Sequence, residues 1–238
     1  MPAGTVMFGF EPAEIEALKL SLAVGALATL LATPVGVLLG LLFARARFRG
    51  LLLLDALVHL PLVLTPVVVG YLLLLLFGRQ GPLGPLLERF SVDLAFSFAG
   101  AVLAAAVIAL PLVVRSARAS FELVDPGLEQ AAAVLGASPM RVFFSVTLPL
   151  ALPGVVAGAV LGFARSLGEF GATITFAGNI AGQTRTLPLA IHGATQTPGG
   201  DDQALRLTVL SVLLSFAALA ASEWFLRHMR ARRGGSPE

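Results

Sequence analysis

Apolar residues along this chain fall into five long windows that carry no formal charge. The windows cover residues 20–44, 56–78, 94–114, 142–164 and 207–222. A helix needs about 20 apolar residues to cross a bilayer, and the first four windows reach that length. The fifth is shorter, but Trp224 lies just beyond it, and Trp is typical of the membrane interface. The pattern predicts five transmembrane helices.

Four prolines, Pro34, Pro66, Pro111 and Pro153, lie within or near these windows. Membrane helices tolerate proline where neighbouring helices satisfy the freed carbonyl groups, so we expect bends and not breaks. Thr65 precedes Pro66 near the middle of the second window. Its hydroxyl has two possible roles, which are a hydrogen bond back to its own helix and a contact with a passing solute.

Composition supports the same class of protein. The chain of 238 residues is 57% hydrophobic and only 13% charged, whereas typical soluble domains are about 25% charged. So few charges cannot cover a surface that faces water. The absence of cysteine excludes disulfides, thiolate metal sites and cysteine nucleophiles. We therefore expect an all-α integral membrane protein with one membrane domain over residues 1–238, no cofactor, no metal and no nucleic-acid partner.

Arginines predict the orientation of the chain. Cytoplasmic loops of membrane proteins carry an excess of Arg and Lys. Ten arginines fall on one side if the N-terminus is external and the C-terminus cytoplasmic, namely Arg45, Arg47, Arg49, Arg115, Arg118, Arg141, Arg227, Arg230, Arg232 and Arg233. Five crossings place the two termini on opposite sides of the membrane.

Residues 168–205 do not fit the pattern of a simple crossing. They mix apolar residues with Gly, Asn, Gln and Thr, and end in a Thr-Pro-Gly-Gly turn at 197–200. A sixth crossing would put the arginine-rich tail outside. We expect a re-entrant or external element before the last span, because irregular backbone is tolerated at membrane depth only against protein or water.

The segment 115–148, on the predicted cytoplasmic side, has an amphipathic helical pattern. Leu128, Ala131, Ala132 and Leu135 are spaced to share one face. Gly136 interrupts the pattern, and Ser138-Pro139 is a start signal for a second short helix. The pattern predicts a helix–turn–helix, and the alternative is a linker that lies on the bilayer surface.

This segment resembles the EAA loop of ABC importer permeases. The family pattern E-A-A-x3-G-x9-I-x-L-P matches in all its spacings, with Gln130 in place of the glutamate and Glu129 one residue earlier. The resemblance implies that Glu129, Gln130, Ala131, Ala132, Gly136, Arg141, Leu148 and Pro149 form a cytoplasmic coupling-helix loop. In the family this loop docks in a cleft of a partner ATPase.

The resemblance extends over about residues 12–228 and is to molybdate permeases in particular. It is carried by residues 59–64, 66–71, 128–132, 141–144, 163–173 and 196–200. It implies import of molybdate or tungstate through the inner membrane by a homodimer that works with ATP-binding cassette subunits and an external molybdate-binding protein. Sulfate and thiosulfate permeases share the loop, so sulfate is the alternative cargo.

The chain lacks the residues that hydrolyse ATP. Lys19 is its only lysine, and no G-x-x-x-x-G-K-[ST] sequence is present. If transport is driven by ATP, a separate subunit must hydrolyse it. A secondary transporter or channel that works without ATP is a further alternative, but it does not account for the EAA spacing.

Two sets of residues are candidates for the transport pathway or its gate. Thr65 and Pro66 interrupt the second window, and Arg165, Ser166, Glu169 and Thr173 lie near the external end of the fourth. A charge inside a membrane helix usually faces the bundle interior or water. Arg165 and Glu169 are spaced i, i+4, so the alternative role is an ion pair that fixes the helix end.

Overall fold

Helices form all the regular secondary structure of the computed structural model, which describes residues 11–90 and 93–232, with side chains as far as residue 221. The helices are α1 (Pro12–Arg45), α2 (Leu51–Val63), α3 (Pro66–Phe77), α4 (Gly84–Arg89), α5 (Phe98–Glu122), α6 (Pro126–Val134), α7 (Pro139–Val142), α8 (Leu148–Leu167), α9 (Gly171–Phe176), α10 (Leu187–Thr195) and α11 (Asp201–Arg232). A π-helical turn, Phe143–Thr147, joins α7 to α8.

Four of these elements are long and apolar enough to span a membrane. They are α1, α5, the run from α7 to α8, and α11 as far as Ala221. The pair α2 and α3 adds a fifth if it is counted as one broken span. The all-helical membrane architecture predicted from the sequence is confirmed. Trp224 and the arginine tail 227–233 lie beyond residue 221, outside the part of the chain whose side chains the structure describes.

The expectation of bends at all four prolines is wrong for Pro66. Pro34, Pro111 and Pro153 lie inside continuous helices. At Pro66, α2 has already ended, Thr65 is extended with φ −64° and ψ 140°, and the two helices differ in direction by 120°. A residue before proline is disfavoured in the helical region, and proline has no N–H to continue the ladder.

The broken pair α2–α3 still runs from one end of the helix bundle to the other. We call the end that carries residues 123–138 the loop end and the opposite end the far end. At the loop end, the Arg118 guanidinium of α5 lies 3.2 Å from the Asp55 carboxylate of α2. At the far end, the ring centroids of Phe77 and Phe176 are 6.4 Å apart, and Phe176 packs near the start of α5.

The start of the last long helix also lies at the far end. Arg206 of α11 approaches Glu14 in the first turn of α1, with 3.1 Å between guanidinium nitrogen and carboxylate oxygen. Glu14 is almost fully buried and also accepts a hydrogen bond from the Glu11 N–H, which caps α1. With α2–α3 counted as one broken span, α11 is the fifth candidate span of the chain.

Small residues bring α1 into close contact with α5 at the centre of the bundle. A Cβ atom on Gly36 would lie 2.6 Å from Val113, and one on Gly40 would lie 2.8 Å from the Cβ of Ala117. Such distances leave no room for a side chain. This is the close approach that small residues allow between membrane helices.

The three glycines of α8, Gly154, Gly158 and Gly162, face α5 in the same chain. A Cβ on Gly154 would lie 2.4 Å from Ser120, and Ser120 donates a hydrogen bond of 2.9 Å to the carbonyl of Ala151. Glycine at every fourth position gives α8 a smooth face. The structure places it inside the chain, where α8 packs against α5.

Residues 168–200 contain two short helices at the far end, and residues 201–205 already belong to α11. With six and nine residues, α9 and α10 are too short to cross a bilayer. The first packs against α3, where Gly70 lies against the backbone of Ala172. The second is tied to α1, because the Leu187 N–H donates a hydrogen bond of 2.7 Å to Ser21 Oγ. The segment thus caps the far end of the bundle, in agreement with the predicted absence of a sixth crossing.

Candidate functional site

Local sequence signals define α6, the first helix of the predicted coupling loop. The side chain of Asp125 accepts a hydrogen bond of 2.8 Å from the Gly127 N–H, which caps the helix at its start. At its end, Gly136 has φ +86°. The N–H groups of Gly136 and Ala137 donate to the carbonyls of Ala133 and Ala132, which is the Schellman arrangement that closes a helix with a left-handed residue. The glycine of the motif is therefore required by its backbone conformation.

The second helix of the loop begins as predicted. Ser138 is the cap residue, its hydroxyl accepts a hydrogen bond of 3.4 Å from the Arg141 N–H, and Pro139 stands in the first turn. The π-helical turn follows, and Leu148 and Pro149 begin α8. The loop is thus continuous with a helix that is long enough to span the membrane.

The outer surface of the loop is apolar and exposed. Val134 and Leu135 are 87% and 88% exposed, and α6 contains no buried residue. Further exposed apolar side chains are those of Leu123, Leu128, Met140 and Phe144. Exposed apolar patches of this kind mark surfaces that contact a protein or a membrane.

The alanines of the motif do not pack into the core of the chain. Ala131 is exposed and Ala132 only half buried. Beneath α6 lies an open cavity of about 430 Å³, whose lining includes Ala133, Ala137 and Phe143. On this side the cavity separates α6 from α1.

The carboxylate of the loop is bound inside the chain. Glu129 Oε1 lies 3.0 Å from the guanidinium of Arg45, at the end of α1, and accepts a hydrogen bond of 2.7 Å from the hydroxyl of Thr147. Gln130, at the glutamate position of the motif, is exposed, and so is Arg141. The motif position that usually carries a glutamate is thus neutral in this chain, and the carboxylate of Glu129, one residue earlier, points to the bundle.

Two members of this cluster were missed by sequence reasoning. Arg45 was counted only as a cytoplasmic charge, and Thr147 occupies an unspecified position of the motif. A signal for Thr147 existed, since its hydroxyl lies between the apolar Val146 and the motif's Leu148. No local signal pairs Arg45 with Glu129, which lies 84 residues away along the chain.

The candidate pathway residues Thr65 and Pro66 lie at the break between α2 and α3. Thr65 is exposed, and its hydroxyl makes no hydrogen bond within the described part of the chain. The back-bond to its own helix, which was one of two expected roles, is therefore absent. Pro66 packs against α9, where a Cβ on Gly171 would lie 2.9 Å from the proline ring.

The second candidate group is mostly buried. Arg165 and Glu169 form an ion pair of 2.8 Å, and the Glu169 side chain is only 1% exposed. Glu169 also accepts a hydrogen bond of 2.8 Å from the Ala172 N–H at the start of α9. Ser166 and Thr173 are buried within the chain, and the Ser166 hydroxyl donates to the Gly162 carbonyl. The group joins α8 to α9, and Arg165 alone keeps a partly exposed side chain.

Known proteins share this architecture and much of this sequence. A molybdenum transport system permease protein, ModB of Escherichia coli, is 54% identical over 93% of this chain and 97% of its own. A sulfate transport system permease protein, CysW of Synechococcus elongatus, is 39% identical over 75% of this chain and 63% of its own.

A solved structure has the same fold at low sequence identity. It is a bacterial alginate ABC transporter in complex with a periplasmic protein that holds an alginate pentasaccharide. The aligned chain has a TM-score of 0.72 at 18% identity, and the match covers 96% of this chain and 82% of the other.

The family model of the binding-protein-dependent transport system inner membrane component matches residues 33–231. That range begins within α1 and ends within α11, so it includes the whole predicted coupling loop. On this match, and on the identity to the permeases above, the chain belongs to the family of binding-protein-dependent transport system inner membrane components.

Proposed function

We propose that this chain is the membrane-spanning subunit of an ATP-driven importer for molybdate or tungstate. The observation that carries the proposal is the high identity to the molybdenum permease of E. coli over nearly the full length of both chains. The match to a sulfate permease is weaker in identity and in coverage, so sulfate is the second candidate.

The ATP-binding subunit is a separate polypeptide in this proposal. The exposed apolar surface of the loop, with Val134 and Leu135 at its tip, is suited to a cleft on that subunit. ATP binding closes two such subunits on each other. Since each holds one loop, closure draws two copies of this chain together at their loop ends. The ATP-bound state and the docked loop then favour the same global conformation, which is the condition for coupling.

The transport path lies between two copies of this chain, along their two-fold axis. We assign residues 1–238 to a single membrane domain, so one chain supplies half of the path. Thr65 is the first candidate for contact with the oxyanion, because its hydroxyl is exposed and without an internal partner in the described part of the chain. Weak hydroxyl contacts suit passage, since a site that binds too tightly does not release.

Ser166 and Thr173 take a supporting role in this proposal. Both are buried, and they lie beside the ion pair of Arg165 and Glu169 at the far end of α8. Arg165 is the one charged member that the oxyanion can approach in the single chain. Glu169 neutralises it and prevents a tight clamp on a dianion.

The chain is oriented with its N-terminus external and its loop end in the cytoplasm. Arg45, Arg118 and Arg141 all lie at the loop end, where the positive-inside rule places them in the cytoplasm. An external binding protein then delivers the oxyanion at the far end, which α9 and α10 cover.

Transport in liposomes tests the proposal. The chain, purified with its ATP-binding subunit and reconstituted with the binding protein, should take up labelled molybdate only when ATP is present. Excess tungstate should compete and excess sulfate should not. Preferred competition by sulfate would assign the second candidate, and ATP-independent uptake by the chain alone would contradict an ATP-driven importer.

A further inference from the structure

An ion pair between α1 and α6 holds the coupling helix α6 in position. Glu129 Oε1 receives both the Arg45 guanidinium at 3.0 Å and the Thr147 hydroxyl at 2.7 Å. Arg45 also reaches the carbonyl of Val124, just before α6, at 3.4 Å. One carboxylate oxygen thus joins the end of α1, the coupling helix α6, and the π-helical turn that leads into α8.

Apolar packing does not hold α6 against the bundle. No residue of α6 is buried, and the cavity of about 430 Å³ lies between it and α1, with Leu41 and Phe143 in its lining. Within the described ranges, Arg45–Glu129 is the one ion pair that connects α6 to a membrane helix. The position of α6 therefore depends on this polar cluster.

The two partners of Glu129 differ in how firmly they are placed. Thr147 is 4% exposed and sits in the wall of the bundle, so its hydroxyl has a fixed position. The Arg45 side chain is about one-third exposed and is anchored by the last turn of α1. Hydrogen bonds in which one partner is ionised are shorter and stronger than neutral ones, and they fix geometry.

We propose that Arg45 and Glu129 form an internal latch that transmits the movement of the coupling helix to α1 and α8. This inference rests on the proposed function. It gives the loop carboxylate a partner inside the chain, whereas the neutral Gln130 stands at the outer position of the motif. Contact with the ATP-binding subunit is then made by the exposed apolar side chains of the loop. Arg45, Glu129 and Thr147 are positioning residues, because they act through the placement of α6.

A charge swap separates an internal latch from a contact with the partner subunit. The single variants Arg45→Glu and Glu129→Arg should each lower the molybdate transported per ATP hydrolysed by roughly tenfold, within the usual range of coupling free energies. The double variant restores the ion pair inside the chain and should recover most of the wild-type ratio. If Glu129 contacted the ATP-binding subunit, the double variant would stay uncoupled and Arg45→Glu alone would have little effect. Either of these results overturns the latch.

Matched controls exclude a general effect of charge loss at this end of the molecule. Arg47→Ala and Arg49→Ala remove exposed arginines that follow Arg45 and should keep the wild-type ratio. Thr147→Val removes the hydroxyl donor at nearly constant volume and should lower the ratio less than Arg45→Ala does. A loss that merely reflected fewer assembled complexes would lower transport and ATP hydrolysis together and leave their ratio unchanged.

A distance measurement tests the latch independently of the cargo. The chain has no native cysteine, so spin labels at Phe48→Cys and Leu135→Cys report the separation of the α1 end from the α6 end. The latch predicts a narrow distance distribution in the otherwise wild-type chain and in the charge swap, and a broad one in Arg45→Ala. A narrow distribution in Arg45→Ala would overturn the latch. Absence of molybdate transport by the wild-type complex would instead contradict the proposed function and leave this measurement valid.

Discussion

Gly136 holds a backbone conformation that side chains rarely adopt. Its φ of +86° closes α6, yet a Cβ atom at this position would meet nothing within 4 Å. A substitution therefore acts through backbone strain alone, which is about 1–2 kcal/mol for a residue with a Cβ. The strain is local, so it misdirects the turn between α6 and α7 without affecting the membrane helices.

We predict that Gly136→Val abolishes uptake and the stimulation of ATP hydrolysis by transport, while membrane insertion stays normal. Gly168→Val is the matched control, because Gly168 also has open space around it but a negative φ of −91°. Uptake assays and membrane fractionation measure the two properties. Wild-type coupling in Gly136→Val would show that the turn is not needed for transport.

The ion pair of Arg165 and Glu169 leads to a prediction about stability. Glu169 is buried and caps the start of α9 through the Ala172 N–H, whereas Arg165 is one-third exposed. Arg165→Ala should therefore cost more than Glu169→Ala, by about 1–3 kcal/mol, because it leaves a buried carboxylate without its counter-charge. A double-mutant cycle, followed by thermal unfolding in detergent, should show a coupling energy of about 0.5–3 kcal/mol. Additive losses would rule out a stabilising pair.

At the scale of elements, the contact between α3 and α9 fixes the second half of the broken span. A Cβ on Gly70 would lie 2.6 Å from the carbonyl oxygen and 2.8 Å from the Cα of Ala172. Both atoms belong to the backbone, so the clash cannot be relieved by a rotamer change. The two helices would have to move apart.

We predict that Gly70→Ala destabilises the chain by about 1–3 kcal/mol, as overpacking does. Gly193→Ala in α10 is the control, since its new Cβ would lie 3.6 Å from the Asn179 amide, an ordinary contact distance. Both substitutions gain the same helix propensity, so their difference isolates the clash. Thermal unfolding in detergent measures it, and equal midpoints for the two variants would contradict the contact.

The elements differ in how far the sequence could predict them. The caps of α6 and α7 are local, so Asp125, Ser138 and Pro139 occupy positions that their residue types favour. The break at Pro66 was predicted as a bend, because the pattern of apolar residues is unbroken there. Its angle depends on α9, whose Gly171 packs against Pro66 from more than 100 residues further along the chain.

In the candidate site, too, the sequence predicts local features but not contacts between residues far apart in the chain. The loop and its glycine follow from spacing within twenty residues. The partner of Glu129 is 84 residues away, and nothing in the local pattern of Arg45 points to it. The sequence shows that the carboxylate of Glu129 lies one residue before the glutamate position of the motif. A shift of one residue on a helix turns a side chain by about 100°. Only the packed structure shows which partner the side chain then reaches.

At the scale of the whole molecule, the predicted five-span topology determines which residues face which side of the membrane. Single cysteines at Leu135 and Gln196 test this, because both positions are exposed and the native chain has no cysteine. A thiol reagent that cannot cross the inner membrane should label Gln196→Cys in intact spheroplasts. It should label Leu135→Cys only after lysis, and the opposite pattern would reverse the orientation.

The glycine contacts that join α1, α5 and α8 have a mechanical consequence. Backbones in direct contact leave no soft layer between them, so the three helices resist sliding past each other. With 25 residues, α5 is about 37 Å long at 1.5 Å per residue. A tilt imposed at one end of this rigid group of three helices is therefore transmitted almost unchanged to the other end. The subunit should therefore tilt as one rigid unit. In the proposed homodimer, the transport cycle should open and close the path by tilting the two subunits against each other.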